Sequence, residues 1–263
     1  MPGIFENLDL LDDKHVEIVA DAIKEHRIGF CINEVRAADN LDRVLYGDCQ
    51  TYLSGPDGRI YCSFEFVPVL DALRQTRMLD RHMLGLVLSE LKTNSDVVLG
   101  CNVSADNFTD WQSWQFLRDR IAGAQHLAKR LVLEVSESQC LSNLTTATDL
   151  LTDARNLGCR VAICDFGRGF ATPQCLLNVE ADIIKIDSLF VQHVRWGQKD
   201  GNSLKHMIGL AGCIAPVVVV EGVQTREQLD IARAAGAGYI QGYPISGETS
   251  RNIPTQLPHM TIH

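Results

Sequence analysis

Asn33, Asp48, Asn102, Glu134, Asp165, Lys185 with Asp187, Glu221 and Gln241 share one trait: each stands at the end of a short apolar run. Asn102, Glu134, Asp165 and Asp48 carry hard oxygen donors of the kind that hold Mg²⁺ or Mn²⁺. Lys185 and Glu221 have the chemistry of a cation and a base at a hydrolytic phosphate site. The alternative for Lys185 is an internal ion pair with Asp187 or Asp165. In the stretch "VAICDFGRGF" a thiol, Cys164, directly precedes the carboxylate Asp165, and a glycine-rich loop follows.

The runs that place these residues are rich in β-branched side chains. They are "RIGFCINEV", "DRVLYGDCQTYL", "DVVLGCNVS", "RLVLEVSES", "RVAICDFG", "DIIKID", "PVVVVEGV" and "GYIQGY". Helical spacing separates most of them, from Phe64 to Leu91, Trp111 to Ala128, Leu144 to Leu157, Leu204 to Cys213 and Thr225 to Ala235. Asn143 or Thr145 can cap the third of these stretches and Gly158 can end it. Thr225 with Gln228 forms a capping-box pattern. Continuous apolar strands alternating with helices imply a parallel sheet covered on its outer face. Eight such units predict a (β/α)8 barrel, in which all the polar strand ends meet at one rim. Only "RAADNLD" joins the first two runs, too little for a crossover helix, so that pair is expected to be an antiparallel hairpin.

The chain has 263 residues, 46% of them hydrophobic, enough for one large α/β domain. A net charge of −9 argues against nucleic acid as a partner. No apolar run is long enough to span a bilayer, and the acidic start "MPGIFENLDLLDDKH" does not read as a signal peptide. A cytoplasmic protein is expected. Nine cysteines form no CxxC pair and several lie inside apolar runs, so they read as reduced core residues. Pro244, Pro254 and Pro258 predict an irregular tail.

"CNVS", "LEVSES", "CDFGRGF", "IIKIDSLFV", "VVEGVQT" and "QGYPIS" occur in the order and spacing of the EAL domain of bacterial cyclic di-GMP phosphodiesterases, which the chain resembles. "SFEFVPVLDALRQTRMLDRHML" resembles the helical stretch after that family's name motif. The likeness runs from about Asp21 to Ser246 and implies one domain over 1–263, with an irregular tail after 246. It implies a modified TIM barrel with an antiparallel first strand. It also implies a site in which two divalent metals activate water against a phosphodiester. By that resemblance Asn102, Glu134 and Asp165 fall on metal ligands and Glu137 on the glutamate that braces the loop after "DFG". Lys185 falls on the lysine that holds the reacting water, Glu221 on the glutamate of the EGV motif and Gln241 on the glutamine of the QGY motif.

Several positions depart from the pattern. Cys164 replaces the aspartate that bridges the metals. The name motif reads "DCQTY", so Asp48 stands for a metal-binding glutamate, Gln50 for a leucine near the nucleotide and Tyr52 for a phosphate-facing arginine. Asn33 replaces a glutamine and Gln224 the second glutamate of EGVE. Two divalent ions about 4 Å apart repel by ~15–20 kcal/mol at an effective dielectric of 20. A bridging carboxylate offsets this, and a neutral thiol does not.

The expected protein is therefore a degenerate, non-catalytic member, with Lys185 and Glu221 vestigial. It would hold at most one weakly bound Mg²⁺, Mn²⁺ or Ca²⁺ near Asn102 and Glu134. Asp48, Gln50, Tyr52, Asp165 and Gln241 would line a ligand site that binds cyclic di-GMP weakly or not at all. It would act as a protein-interaction module or as a nucleotide receptor in motility or biofilm control, with a protein partner, no nucleic acid and no membrane expected, and the resemblance is compatible with a homodimer. The rival is a slow metal-dependent cyclic di-GMP phosphodiesterase.

Overall fold

A computed structural model describes residues 13–136, 144–168, 179–195 and 202–242. Helix α1 (Asp13–Lys24) leads into β1 (Ile28–Ala37) and β2 (Val44–Ser54), which pair antiparallel over nine register partners from Ile28↔Leu53 to Arg36↔Val44. The hairpin expected from the short connection is present. After it, β4 (Leu99–Asn102), β5 (Leu131–Ser136), β6 (Arg160–Phe166), β7 (Ile183–Ile186), β8 (Val217–Val220) and β9 (Tyr239–Gln241) run parallel to β2. β9 then pairs antiparallel with β1, closing an eight-stranded barrel. A short strand, β3 (Ile60–Cys62), sits outside the barrel on the far end of β2. The eight apolar runs are the eight barrel strands, and only β3 lacks a counterpart in the sequence reading. Three residues give too short a pattern to reveal it.

The stretch expected to be one helix is two, α2 (Ser63–Ala72) and α3 (Thr76–Thr93). Arg74, at φ 55°, breaks the continuity between them. Likewise α4 (Trp111–Gly123) and α5 (Gln125–Ala128) divide the next stretch. α6 (Leu144–Asn156), α7 (Leu189–Gln192), α8 (Ser203–Gly212) and α9 (Arg226–Ala234) complete the described α-helices. Gly158, at φ 104°, follows α6, and Thr225 with Gln228 forms the reciprocal capping box that opens α9. Asn143, as a cap, and the tail lie outside the described residues.

Strand side chains alternate in direction, so each barrel strand sends every second residue inward. Inside the barrel Val35, Tyr46, Val132, Ala162, Ile183 and Val219 form an apolar layer. A larger core, with Trp114, Phe66, Leu84, Leu133 and Ile184 among its buried members, fills the space between barrel and helices. The next inward residues toward the strand ends are Asp48, Asn102, Glu134, Cys164, Lys185 and Gln241. A polar ring thus lies on an apolar floor.

Candidate functional site at the barrel rim

Lys185 is the centre of this ring. Only 2% of it is exposed, and its Nζ lies 2.6 Å from Glu134 Oε2, 3.0 Å from Asp48 Oδ2 and 3.0 Å from Glu221 Oε1. The pairing with Asp187 or Asp165 weighed from the sequence is not what the fold makes. Asp187 instead lies 3.7 Å from Arg168, and Asp165 accepts a hydrogen bond from Ser136 Oγ. Burial works against the Lys185 charge, but Asp48, Glu134 and Glu221 together hold its pKa well above the usual range.

Asp48 is the most heavily partnered carboxylate. Its Oδ2 accepts from Gln50 Nε2 and Gln241 Nε2, both at 2.8 Å, and its Oδ1 accepts from Asn102 Nδ2 at 3.0 Å. Burial alone would raise its pKa, yet Lys185 and the two glutamine amides hold it below the ordinary value. Glu134 behaves in the opposite way. Burial, then the neighbouring charge of Asp48, pushes it up to about 7. Its Oε1 is buried without a hydrogen-bond partner. Gly100 makes room for that oxygen, since a Cβ there would lie 2.1 Å from it. Glu221 is also raised, chiefly by burial.

Cys164 donates from Sγ to Glu134 Oε2 at 3.2 Å, and burial holds its thiol well above the ordinary pKa. It is therefore a neutral group. The register between β6 and β7 slips between Ile163 and Phe166, so Cys164 and Asp165 bulge where β7 supplies Lys185 alone. Asp165 adopts φ 56°, a left-handed conformation that Asp tolerates better than most residues. The bulge is why two consecutive residues of one strand both reach the same cavity.

That cavity measures about 360 Å³. Asp48, Gln50, Asn102, Cys164, Asp165, Lys185 and Glu221 meet in it. Gln241 supports Asp48 from the side, outside the lining. Tyr52 is not brought to it either; its ring covers the backbone of Gly29, where a Cβ would lie 2.5 Å from the Tyr52 hydroxyl. Glu137 lies outside the described residues. Sequence reasoning missed one whole wall, made by Ser63, Phe64, Val67 and Pro68 of α2 and Leu79, Asp80 and Met83 of α3. It also missed Ser136. Asp80 was signalled by an acid set between apolar Leu79 and Met83 of one helix. It accepts from Ser104 N at 2.9 Å and Asn107 Nδ2 at 2.6 Å, and burial pushes it up to about 7.

The seven described cysteines are free thiols. Among the described residues no three His, Cys, Asp or Glu side chains form a metal-ready cluster, and no helix is long and apolar enough to cross a membrane.

A family model described as "EAL domain" matches residues 36–248. The chain is 29% identical over 198 residues to the probable cyclic di-GMP phosphodiesterase PdeA of Escherichia coli K12, covering 72% of this chain and 26% of that protein. The chain spans between about a seventh and a third of the length of the curated relatives it matches. Among solved structures, Vibrio cholerae LapD S helix-GGDEF-EAL bound to c-di-GMP superposes with a TM-score of 0.79 at 19% identity, over 89% of this chain and 57% of that one. The FimX EAL domain from Pseudomonas aeruginosa bound to c-di-GMP gives 0.71 at 23% identity, over 87% of this chain and 93% of that one. At these identities the structures speak for the fold, a modified TIM barrel.

Proposed function

The chain belongs to the EAL domain family, and from that premise we propose that it works in cyclic di-GMP signalling without hydrolysing the nucleotide. It acts by binding, as a protein-interaction module of motility or biofilm control in which the nucleotide is at most a weak ligand. One observation carries this reading. Where the phosphodiesterase resemblance implies two metals and a bridging carboxylate, Lys185 Nζ sits within 3.0 Å of three carboxylates and the bridging position holds the neutral thiol Cys164.

The donor set does not fit two divalent ions. Asp48 and Glu134 already meet an ammonium and amide and thiol donors. A thiol that keeps its proton supplies no charge between two cations, and sulfur is a soft partner for Mg²⁺ or Mn²⁺. The phosphate-facing arginine of the resemblance is Tyr52, folded over Gly29. Losing a charge-assisted contact costs about 1.5–3 kcal/mol, or one to two decades of affinity. Cyclic di-GMP is accordingly expected to bind more weakly than ~10 μM by that arithmetic.

The test is a hydrolysis assay with millimolar Mg²⁺ and Mn²⁺, run beside Glu134→Ala. No turnover above that control is expected. A second reading, a slow phosphodiesterase with one ion on Asn102, Glu134 and Asp165, is favoured by the unpartnered Glu134 Oε1. Turnover by the unmodified protein that disappears in Glu221→Ala would establish it and remove the first.

A further inference from the structure

One flank of α3 carries a cluster that the rim does not use. Arg77, Arg81 and Gly85 recur every four residues and so share one stripe of that helix, apart from Leu79 and Met83 on the cavity side. Phe116 of α4, 40% exposed, lies against this stripe. The guanidinium of Arg81 stands 4.2 Å from its ring centre, and that of Arg120, also on α4, stands 5.1 Å from it. Arg120 Nη1 donates to the Arg81 carbonyl at 2.9 Å, and Gly85 leaves room for it, since a Cβ there would lie 2.9 Å from that nitrogen. Two like charges are thus held on one aromatic ring. Arg77, Arg81 and Arg120 have no ion pair among the described residues, and the Nε atoms of Arg77 and Arg81 are buried without an acceptor. Asp110, within the field of Arg77, is engaged by Ser113 N and Oγ at 2.8 and 2.9 Å. Arg118, on the other flank of α4, is already paired with Asp153.

Three cations gathered this way repel one another until an anion joins them. Stacking uses the flat face of a guanidinium and leaves its in-plane N–H groups, whose fork matches a carboxylate. Arg77 and Arg81 are separated by ~6 Å along the helix, the spacing of two carboxylates four residues apart on a partner helix. We propose that this α3–α4 face docks an acidic segment of a partner protein, with its carboxylates on Arg77, Arg81 and Arg120 and an apolar side chain on Phe116. The net charge of −9 disfavours nucleic acid here, because dense phosphates would also meet the rest of an acidic surface, whereas a short acidic segment meets only the arginines. The inference rests on the protein-interaction role assigned above and supplies the chemistry of the partner.

Fluorescence anisotropy on the full chain tests it, with three labelled probes: a helical peptide carrying glutamates four residues apart beside a leucine, the same peptide with glutamines, and a short DNA duplex. The acidic peptide should bind, the glutamine peptide should bind about tenfold more weakly or worse, and added salt should weaken binding. Arg81→Gln and Arg120→Gln keep most of each stem and should each weaken the acidic peptide about fivefold or more. Arg226→Gln, at an exposed arginine of α9, should leave it unchanged. Should a variant lose its fold, the glutamine peptide still decides, because it leaves the protein untouched. No binding of the acidic peptide at ~1 mM, equal binding of the glutamine peptide, or tighter binding of the duplex overturns the proposal. So does dimerisation in sedimentation that Arg81→Gln abolishes, which would give the face to a second copy of the chain. Cyclic di-GMP hydrolysis measured on the same sample keeps the two readings apart. Turnover there would sink the non-catalytic reading whatever the peptide does, and a silent peptide without turnover would sink only this proposal.

Discussion

Charge at the rim is decided one residue at a time. Lys185 offsets carboxylates that would otherwise be buried and uncompensated, and removing one partner of such a set is far costlier than never having built it. Lys185→Met should therefore destabilise the fold by about 3–5 kcal/mol, measured by urea denaturation at pH 7.5. A loss below about 1 kcal/mol would mean that the cluster is solvated and not buried. Cys164→Asp with Asp48→Glu restores the oxygen donors that the family pattern carries. In that variant millimolar Mn²⁺ should raise the melting temperature by several degrees, with no comparable shift in the unmodified protein. A shift in both would show that the thiol is no obstacle. Asp80 is buried on α3. Burial pushes it up to about 7, with Asp106 and Asp71 adding to the rise. Between its ordinary range and about 7 the folded state holds a proton that the unfolded state has lost, so stability falls as pH rises across that window. Asp80→Asn keeps an acceptor for Ser104 N–H and removes the titration. The variant should lose less stability than the parent between pH 5 and pH 8, and equal losses in parallel denaturation series would contradict the burial argument.

Elements set how these residues meet. The polar strand ends and the hairpin were legible in the sequence because both are short-range patterns: an apolar run that stops at a carboxylate, and a connection too brief for a crossover. The β6 bulge was not, because a register slip of one residue leaves no mark on composition, yet it brings Cys164 and Asp165 to one cavity. The α2–α3 wall was hidden too. Its residues read as an ordinary amphipathic helix, and only packing turns Phe64 and Asp80 toward the rim. Nor could sequence choose the partners of Lys185, since Asp48, Glu134 and Glu221 lie 137, 51 and 36 positions away. In β4 the demand is for absence of a side chain. A Cβ on Gly100 would lie 2.1 Å from Glu134 Oε1 and 2.8 Å from the Tyr46 ring. Gly100→Ala should cost about 1–3 kcal/mol and displace Glu134, read as a lowered denaturation midpoint. A neutral outcome would mean that the barrel floor yields.

At the scale of the whole molecule the barrel has one thin seam. β1 and β2 share nine register partners, but β9 is held by three to β1 and two to β8. The amides of Tyr239–Gln241 should exchange with deuterium before those of β5 and β6, and uniform protection around the barrel would count against this. Gln241 belongs to that strand, and its side chain grips Asp48. Opening the seam therefore pulls a support out of the rim, and any guest that needs Asp48 in place works as a clasp on the barrel wall. By mass action a guest at a hundred times its dissociation constant raises the cost of opening by about 2.7 kcal/mol. The last barrel strand is then a gauge: its exchange, slowed about a hundredfold by such a guest, reports from outside whether the cavity is filled, before anyone knows with what.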